Sequence, residues 1–225
     1  MGAGTSVDEV TVLLVRHGRS TSNTAGTLAG RTPGVGLDDK GAEQAAGLVD
    51  RLASIHELTA VVRSPLQRCG ETVAPLLAAR GLPDIIDDRL IEVDYGDWSG
   101  REIKELLAEP LWKTVQRQPS AAVFPGGEGL AQVQARAVAA IRELDAIHGA
   151  EGRMWVACTH GDVIKSVLAD ALGTHLDGFQ RIVADPASIS VVRYAADRPY
   201  VHGVNCVALP SVPSKPPETV GGSRG

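Results

Sequence analysis

Two histidines and two arginines, each at or just past the end of an apolar run, are the residues of this chain that could do chemistry together. Leu13-Leu14-Val15-Arg16-His17-Gly18 ends a stretch of β-formers abruptly in Arg-His-Gly. Trp155-Val156-Ala157-Cys158-Thr159-His160-Gly161 repeats the pattern far downstream. Between them, Ser64-Pro65-Leu66-Gln67-Arg68 follows a third apolar run, Ala60-Val61-Val62. Open α/β sheets bind their ligands at the carboxyl ends of strands. Two imidazoles and two guanidiniums gathered there suit a phosphate dianion, because planar arginine forks match phosphate oxygens in a way a lysine ammonium does not.

Phosphoryl transfer through histidine requires a neutral imidazole aimed at phosphorus, cations on the non-bridging oxygens, a proton for the leaving oxygen and a route for water. His17 is the best nucleophile, since Arg16 and Arg68 would favour its neutral form. One ring nitrogen can donate to an acceptor while the other attacks. His160 would add a donor to the transferring group, acting electrostatically and becoming cationic once phosphate is bound. The amides of Gly18 and Gly161 are expected to face the anion, because both histidines lead towards helix starts. The proton donor should be a carboxyl on whatever covers the site. Leu90-Ile91-Glu92-Val93-Asp94-Tyr95-Gly96-Asp97 offers Glu92, Asp94 and Asp97, and spacing alone does not choose among them.

These residues need a sheet to converge. The continuous apolar run Val10 to Val15 reads as a strand covered on both faces. Residues 18 to 40, rich in Gly, Ser, Thr and Asp, read as an active-site loop. Helices are expected over Gly41 to Leu52, Leu66 to Ala79 (with a kink or early end at Pro75), much of 99 to 118 with a break at Pro110, a long stretch through Ile147, and Asp162 to Leu172. Strands are expected at Ala60 to Val62, Ile85-Ile86, Met154 to Thr159, Ser188 to Tyr194 and Gly203 to Leu209. The alternation predicts an α/β fold with a mostly parallel central sheet, helices on both faces and an inserted helical lid at about 90–127. Residues 1–209 would form one domain, followed by a Pro/Gly/Ser-rich tail, 210–225, without structure of its own.

With 225 residues and 44% hydrophobic content the chain can bury one sizeable core. A net charge of −5 argues against nucleic-acid binding and for a positive potential confined to a small anion's site. Cys69, Cys158 and Cys206 show no metal-ligand spacing and no disulfide framework, which suits a reducing, cytoplasmic setting. No stretch has the apolar length of a membrane span. Cys158 reads as an inert buried thiol, Trp98 and Trp112 as packing residues, and His56, His148, His175 and His202 as surface or packing residues.

The motifs, taken in order, resemble the histidine phosphatase (phosphoglycerate mutase-like) superfamily. Leu14-Val15-Arg16-His17-Gly18 with Ser20, Thr21 and Asn23 resembles its N-terminal signature, and Leu37, Gly41, Gln44 and Ala45 its first helix. Ser64 to Arg68 with Glu71-Thr72, Leu90-x-Glu92 with Gly96, Trp98 and Gly100, Phe124-Pro125-Gly126-Gly127-Glu128, and Thr159-His160-Gly161 are similar to its later segments. The resemblance implies His17 as phosphoacceptor, Arg16, Arg68 and His160 as phosphate pocket, Glu92 as general acid and base, and Asn23 as a phosphate contact. It implies no metal or other cofactor, a small phosphorylated substrate, and a homodimer. Arg19 stands where many members carry Glu or Gln, which would favour a more acidic substrate.

The segment Tyr95 to Gly100 resembles the phosphatase branch, and only Lys113 and Arg117 stand where the mutases carry adjacent arginines. The expectation is therefore a metal-independent phosphomonoester hydrolase. Phosphoglycerate mutase activity is the first alternative, and a catalytically silent phosphate-binding module the second.

Overall fold

The computed structural model describes residues 10–56, 58–149 and 153–207. Six strands, β1 (Val10–Arg16), β2 (Leu58–Arg63), β3 (Ile85–Ile86), β4 (Met154–Thr159), β5 (Ile189–Tyr194) and β6 (Pro199–Cys206), form one sheet ordered β3-β2-β4-β1-β5-β6. The first four in that order run parallel, and β5 and β6 close the far edge antiparallel. β2, β4 and β1 are thus neighbours pointing the same way. Arg68, His160 and the Arg16-His17 pair therefore emerge side by side at one edge.

Side chains alternate between two apolar layers, which is why β1 is hydrophobic at every position from Val12 to Val15. Val12, Leu14, Trp155 and Ala157 pack with Ala137 and Ile141 of α6 (Leu130–His148) and Val163 and Val167 of α7 (Gly161–Ala171). Leu13, Val15, Val156 and Cys158 pack on the other face with Leu48 of α2 (Asp39–Arg51) and Cys69, Val73 and Leu76 of α3 (Gln67–Arg80). A mixed α/β fold with a mostly parallel sheet, helices on both faces, is what the alternation of elements predicts. Among the described residues, no helix is long and apolar enough to cross a membrane.

Residues 90–127 form the expected cover, built from 3₁₀ turns and two short helices, α4 (Ile103–Leu106) and α5 (Pro110–Arg117). The helical stretch breaks just before Pro110, as expected, and Pro110 then starts α5, where its missing amide costs nothing. Tyr95, Trp98 and Phe124 are buried together, and Trp98 stacks on Trp112 at 6.1 Å. The cover is fastened to the loop after β1 by Gly100 N–Leu28 O (2.7 Å), Leu28 N–Arg101 O (2.9 Å) and Ile103 N–Gly26 O (2.9 Å). Gly96, at φ +52°, lies so close to the Pro125 carbonyl that a Cβ would overlap it, which is why this turn requires glycine.

Some boundaries differ from the sequence expectation. The loop at 18–40 contains a short helix, α1 (Thr21–Ala25), held by a reciprocal cap between Ser20 and Asn23. Pro75 lies within α3 and does not end it; the helix runs on to Arg80. β6 begins at Pro199 instead of Gly203, because an edge strand accepts proline at its first position. Leu209 and the tail from Pro210 lie outside the described residues.

Candidate active site

Arg16, His17, Asn23, Arg68, Glu92 and Gly161 line one cavity of about 400 Å³ at the carboxyl edge of the parallel strands. His160 lies immediately beneath, fully buried, its ring 5.2 Å from that of His17. All the residues expected to act together are brought together. Of the three candidate acids, only Glu92 lines the cavity. Asp94 accepts from the Gly96 amide and faces Arg31, and Asp97 lies against Gly126.

His17 Nδ1 lies 2.7 Å from the Gly18 carbonyl. A carbonyl can only accept, so Nδ1 carries the proton and Nε2 is left bare. Burial, then the charges of Arg68 and Arg16, hold the imidazolium pKa down at about 3, so the ring is neutral near pH 7. Arg16 Nη1 donates to the Ala184 carbonyl (2.6 Å) and Arg68 Nη2 to the Gly30 carbonyl (2.9 Å). The buried Nε of each has no hydrogen-bond partner among the described residues. Each fork is oriented by one backbone acceptor, with donors left for an anion.

His160 Nε2 is 2.7 Å from Ser64 Oγ, and the Leu66 amide points at that same oxygen. In the tautomer that accepts the Ser64 proton at Nε2, neutral His160 carries its own proton on Nδ1, 3.9 Å from Glu92 Oε2. Burial, Arg68 and His17 hold His160 far below the usual imidazole range. The sequence names Ser64 only as part of a motif; its position directly after β2 is the signal that it belongs to the site.

Glu92 is buried, with Oε1 accepting the Val93 amide at 2.9 Å. Its backbone carbonyl accepts from Arg31 (2.9 Å) and Arg136 (3.2 Å), and both arginines are bound by Glu128. Burial, reinforced by the nearby Asp162 charge and opposed by Arg68 and Arg16, raises its carboxyl to about 7. That is a suitable value for a group that must give up a proton and take one back near neutrality.

Asp162, Tyr95 and Lys165 also line the cavity and were not singled out from sequence. Asp162 accepts from Tyr95 Oη (2.8 Å) and Lys165 Nζ (3.1 Å). Burial raises its carboxyl, but Lys165 and these hydrogen bonds outweigh that and hold it below the usual range. The signal was present in one respect, since Asp162 follows the His160-Gly161 strand end.

Two expectations are corrected. The Gly18 amide does not face the anion; it donates to Thr72 Oγ1 (2.9 Å), whereas Gly161 opens α7 at the cavity wall. Arg19 does not shape the mouth, because its guanidinium is spent on Asp38 at 2.6 Å and it is absent from the cavity lining. Asn23 does reach the cavity while capping α1; its Oδ1 is taken by Ser20, leaving the amide NH₂ to meet an anion. Lys113 and Arg117 do not line the cavity. Among the described residues, no three His, Cys, Asp or Glu side chains are grouped to hold a metal ion.

Comparison with known proteins agrees with this geometry. The sequence model of the histidine phosphatase superfamily (branch 1) matches residues 12–207. Phosphoserine phosphatase 1 of Hydrogenobacter thermophilus is 31% identical over 199 residues, which cover 87% of this chain and 92% of that protein. The metal-independent phosphoserine phosphatase of Arabidopsis thaliana is 29% identical over 164 residues, 71% of this chain and 68% of that one. The solved structure of Bacillus stearothermophilus YhfR superposes with a TM-score of 0.78 at 28% identity, covering 85% of this chain and 94% of that chain.

Proposed function

The chain belongs to branch 1 of the histidine phosphatase superfamily, and from that premise we propose that it is a metal-independent phosphomonoester hydrolase working through a phosphohistidine on His17. The observation that carries this reading is the bare, neutral Nε2 of His17 beside two guanidiniums with unused donors. Arg16, Arg68, Asn23, the Gly161 amide and His160 Nδ1 hold the three non-bridging oxygens. His17 Nε2 attacks phosphorus, the bond to the ester oxygen breaks, and protonated Glu92 gives its proton to the departing alcohol. Glu92, now a carboxylate, takes a proton from water as the water oxygen attacks the phosphohistidine; the P–Nε2 bond breaks, inorganic phosphate leaves, and neutral His17 and protonated Glu92 are restored. The setting is cytoplasmic in this reading, and a homodimer is compatible with it.

Hydrolysis is favoured over mutase activity because neither Lys113 nor Arg117 reaches the cavity to hold a phosphoglycerate carboxylate. Phosphorus NMR with a panel of phosphomonoesters tests both. Growth of inorganic phosphate, undiminished by EDTA, is the expected result. Conversion of 3-phosphoglycerate to 2-phosphoglycerate in the presence of bisphosphoglycerate would overturn it in favour of a mutase. His17→Ala should abolish turnover while leaving inorganic phosphate bound, and full activity in that variant would refute the phosphohistidine.

A further inference from the structure

We propose that the substrates of this site are phosphomonoesters of uncharged alcohols carrying an apolar chain or ring, not of hydroxy or amino acids. This rests on the phosphatase reading above and concerns the part of the substrate that leaves. Beside the residues proposed to hold phosphate, the cavity wall includes the aliphatic side chains of Leu28, Ala29, Ile103, Ile182, Val183 and Ala184, with Thr27, Tyr95, Asp162, Lys165 and Asp185 among them. Ile103 and Val183 are 39% and 55% exposed, and large aliphatic side chains lining the mouth of a polar cavity offer themselves to an apolar ligand.

The charges around that wall point the same way. The basic residues lining the cavity are Arg16, Arg68 and Lys165. The two arginines belong to the phosphate. Lys165 is consumed by Asp162 (3.1 Å) and Gln180 (2.7 Å), and its ammonium sits 4.1 Å from the centre of the Phe179 ring. A substrate carboxylate would find no unpaired cation among the lining residues beyond the two arginines. It would instead meet Asp185, whose like charge opposes it, beside an Asp162–Lys165 pair that is neutral as a whole. Asp185 is fixed in place by Asn205, whose Nδ2 donates to it at 2.8 Å.

The test uses primary n-alkyl phosphates from ethyl to hexyl, whose leaving alcohols differ little in acidity, against phosphoserine and 3-phosphoglycerate. The expected result is a kcat/KM that climbs with chain length, by up to about fourfold for each methylene that is buried, and exceeds both carboxylate-bearing esters at least tenfold. Ile103→Ser and Val183→Ser should flatten that climb, read as the hexyl-to-ethyl ratio within each variant so that differences in folded fraction cancel. A flat series in the wild type, or a preference for phosphoserine or 3-phosphoglycerate, would overturn the inference while leaving the phosphatase reading intact.

Binding of n-alkyl phosphonates, which have no scissile ester bond, separates the two ideas. If no ester is hydrolysed, the functional reading fails. Affinity that still rises with phosphonate chain length would then uphold the apolar wall, and affinity independent of length would refute it.

Discussion

A nucleophilic imidazole must be neutral and a proton-donating carboxyl must be protonated, and the same burial secures both here in opposite directions. His17 is held down at about 3 and Glu92 raised to about 7. In the proposed mechanism the first half-reaction needs Glu92 with its proton, so kcat/KM should fall as pH rises through about 7. Glu92→Gln should lower kcat by roughly 10²–10⁴-fold and remove that falling limb. A pH–rate profile of both proteins checks this, and an unchanged limb in the variant would assign it elsewhere. At this scale the sequence is most legible where a residue's role follows from its own strand. Arg16, His17 and His160 each end or directly follow one, so their place at the carboxyl edge of the sheet could be read from the sequence. Tyr95 and Asp162 are 67 positions apart and bond only because the lid docks on α7. No local pattern announces such a pairing.

At the scale of elements, α6 is tied to β4 by one buried hydrogen bond, from Trp155 Nε1 to Asp145 Oδ1 at 2.8 Å. Burial lifts the Asp145 carboxyl to about 7, against the pull of that bond and of Arg142. Between roughly pH 4 and 7 the unfolded chain releases a proton that the folded chain keeps. The stability this proton contributes is full below about pH 4 and is lost as pH rises through 7. Asp145→Asn retains an acceptor for the indole without a charge to bury. Its stability relative to the wild type should therefore improve by roughly 2–4 kcal/mol between pH 4 and pH 8. Urea unfolding at the two pH values measures it, and the histidines common to both proteins cancel in the difference. Element positions were legible in the same uneven way. Helices with a strong apolar stripe were found within a few residues, whereas α1 was hidden because it is short and held by a polar cap.

Taken whole, the molecule carries a net charge of −5 yet brings the guanidiniums of Arg16 and Arg68 into one cavity at the edge of its sheet. A phosphate dianion held as proposed would relieve the mutual repulsion of Arg16 and Arg68 only in the folded chain. Inorganic phosphate at about one hundred times its Kd should therefore stabilise the fold by roughly 2.7 kcal/mol, or about 5–10 °C in Tm. Arg68→Ala should abolish most of that shift, as thermal melts with and without phosphate would show. A shift of full size in the variant would place the anion elsewhere. Sheet order also was only half legible. The parallel βα alternation is written in hydrophobic periodicity, but which strands are neighbours depends on long-range pairing that no window of sequence contains.

The strands that lead into the proposed phosphate site, β2, β4 and β1, each have a hydrogen-bonded neighbour on both sides, while the mouth is formed by loops and short helices fastened through a few backbone bonds. Amide hydrogens of β1 and β4 should accordingly exchange with solvent only when the whole protein unfolds, and those near Leu28, Arg101 and Ile103 through local opening. The mouth can then breathe to admit an ester and release its alcohol while the groups that grip phosphorus stay in register.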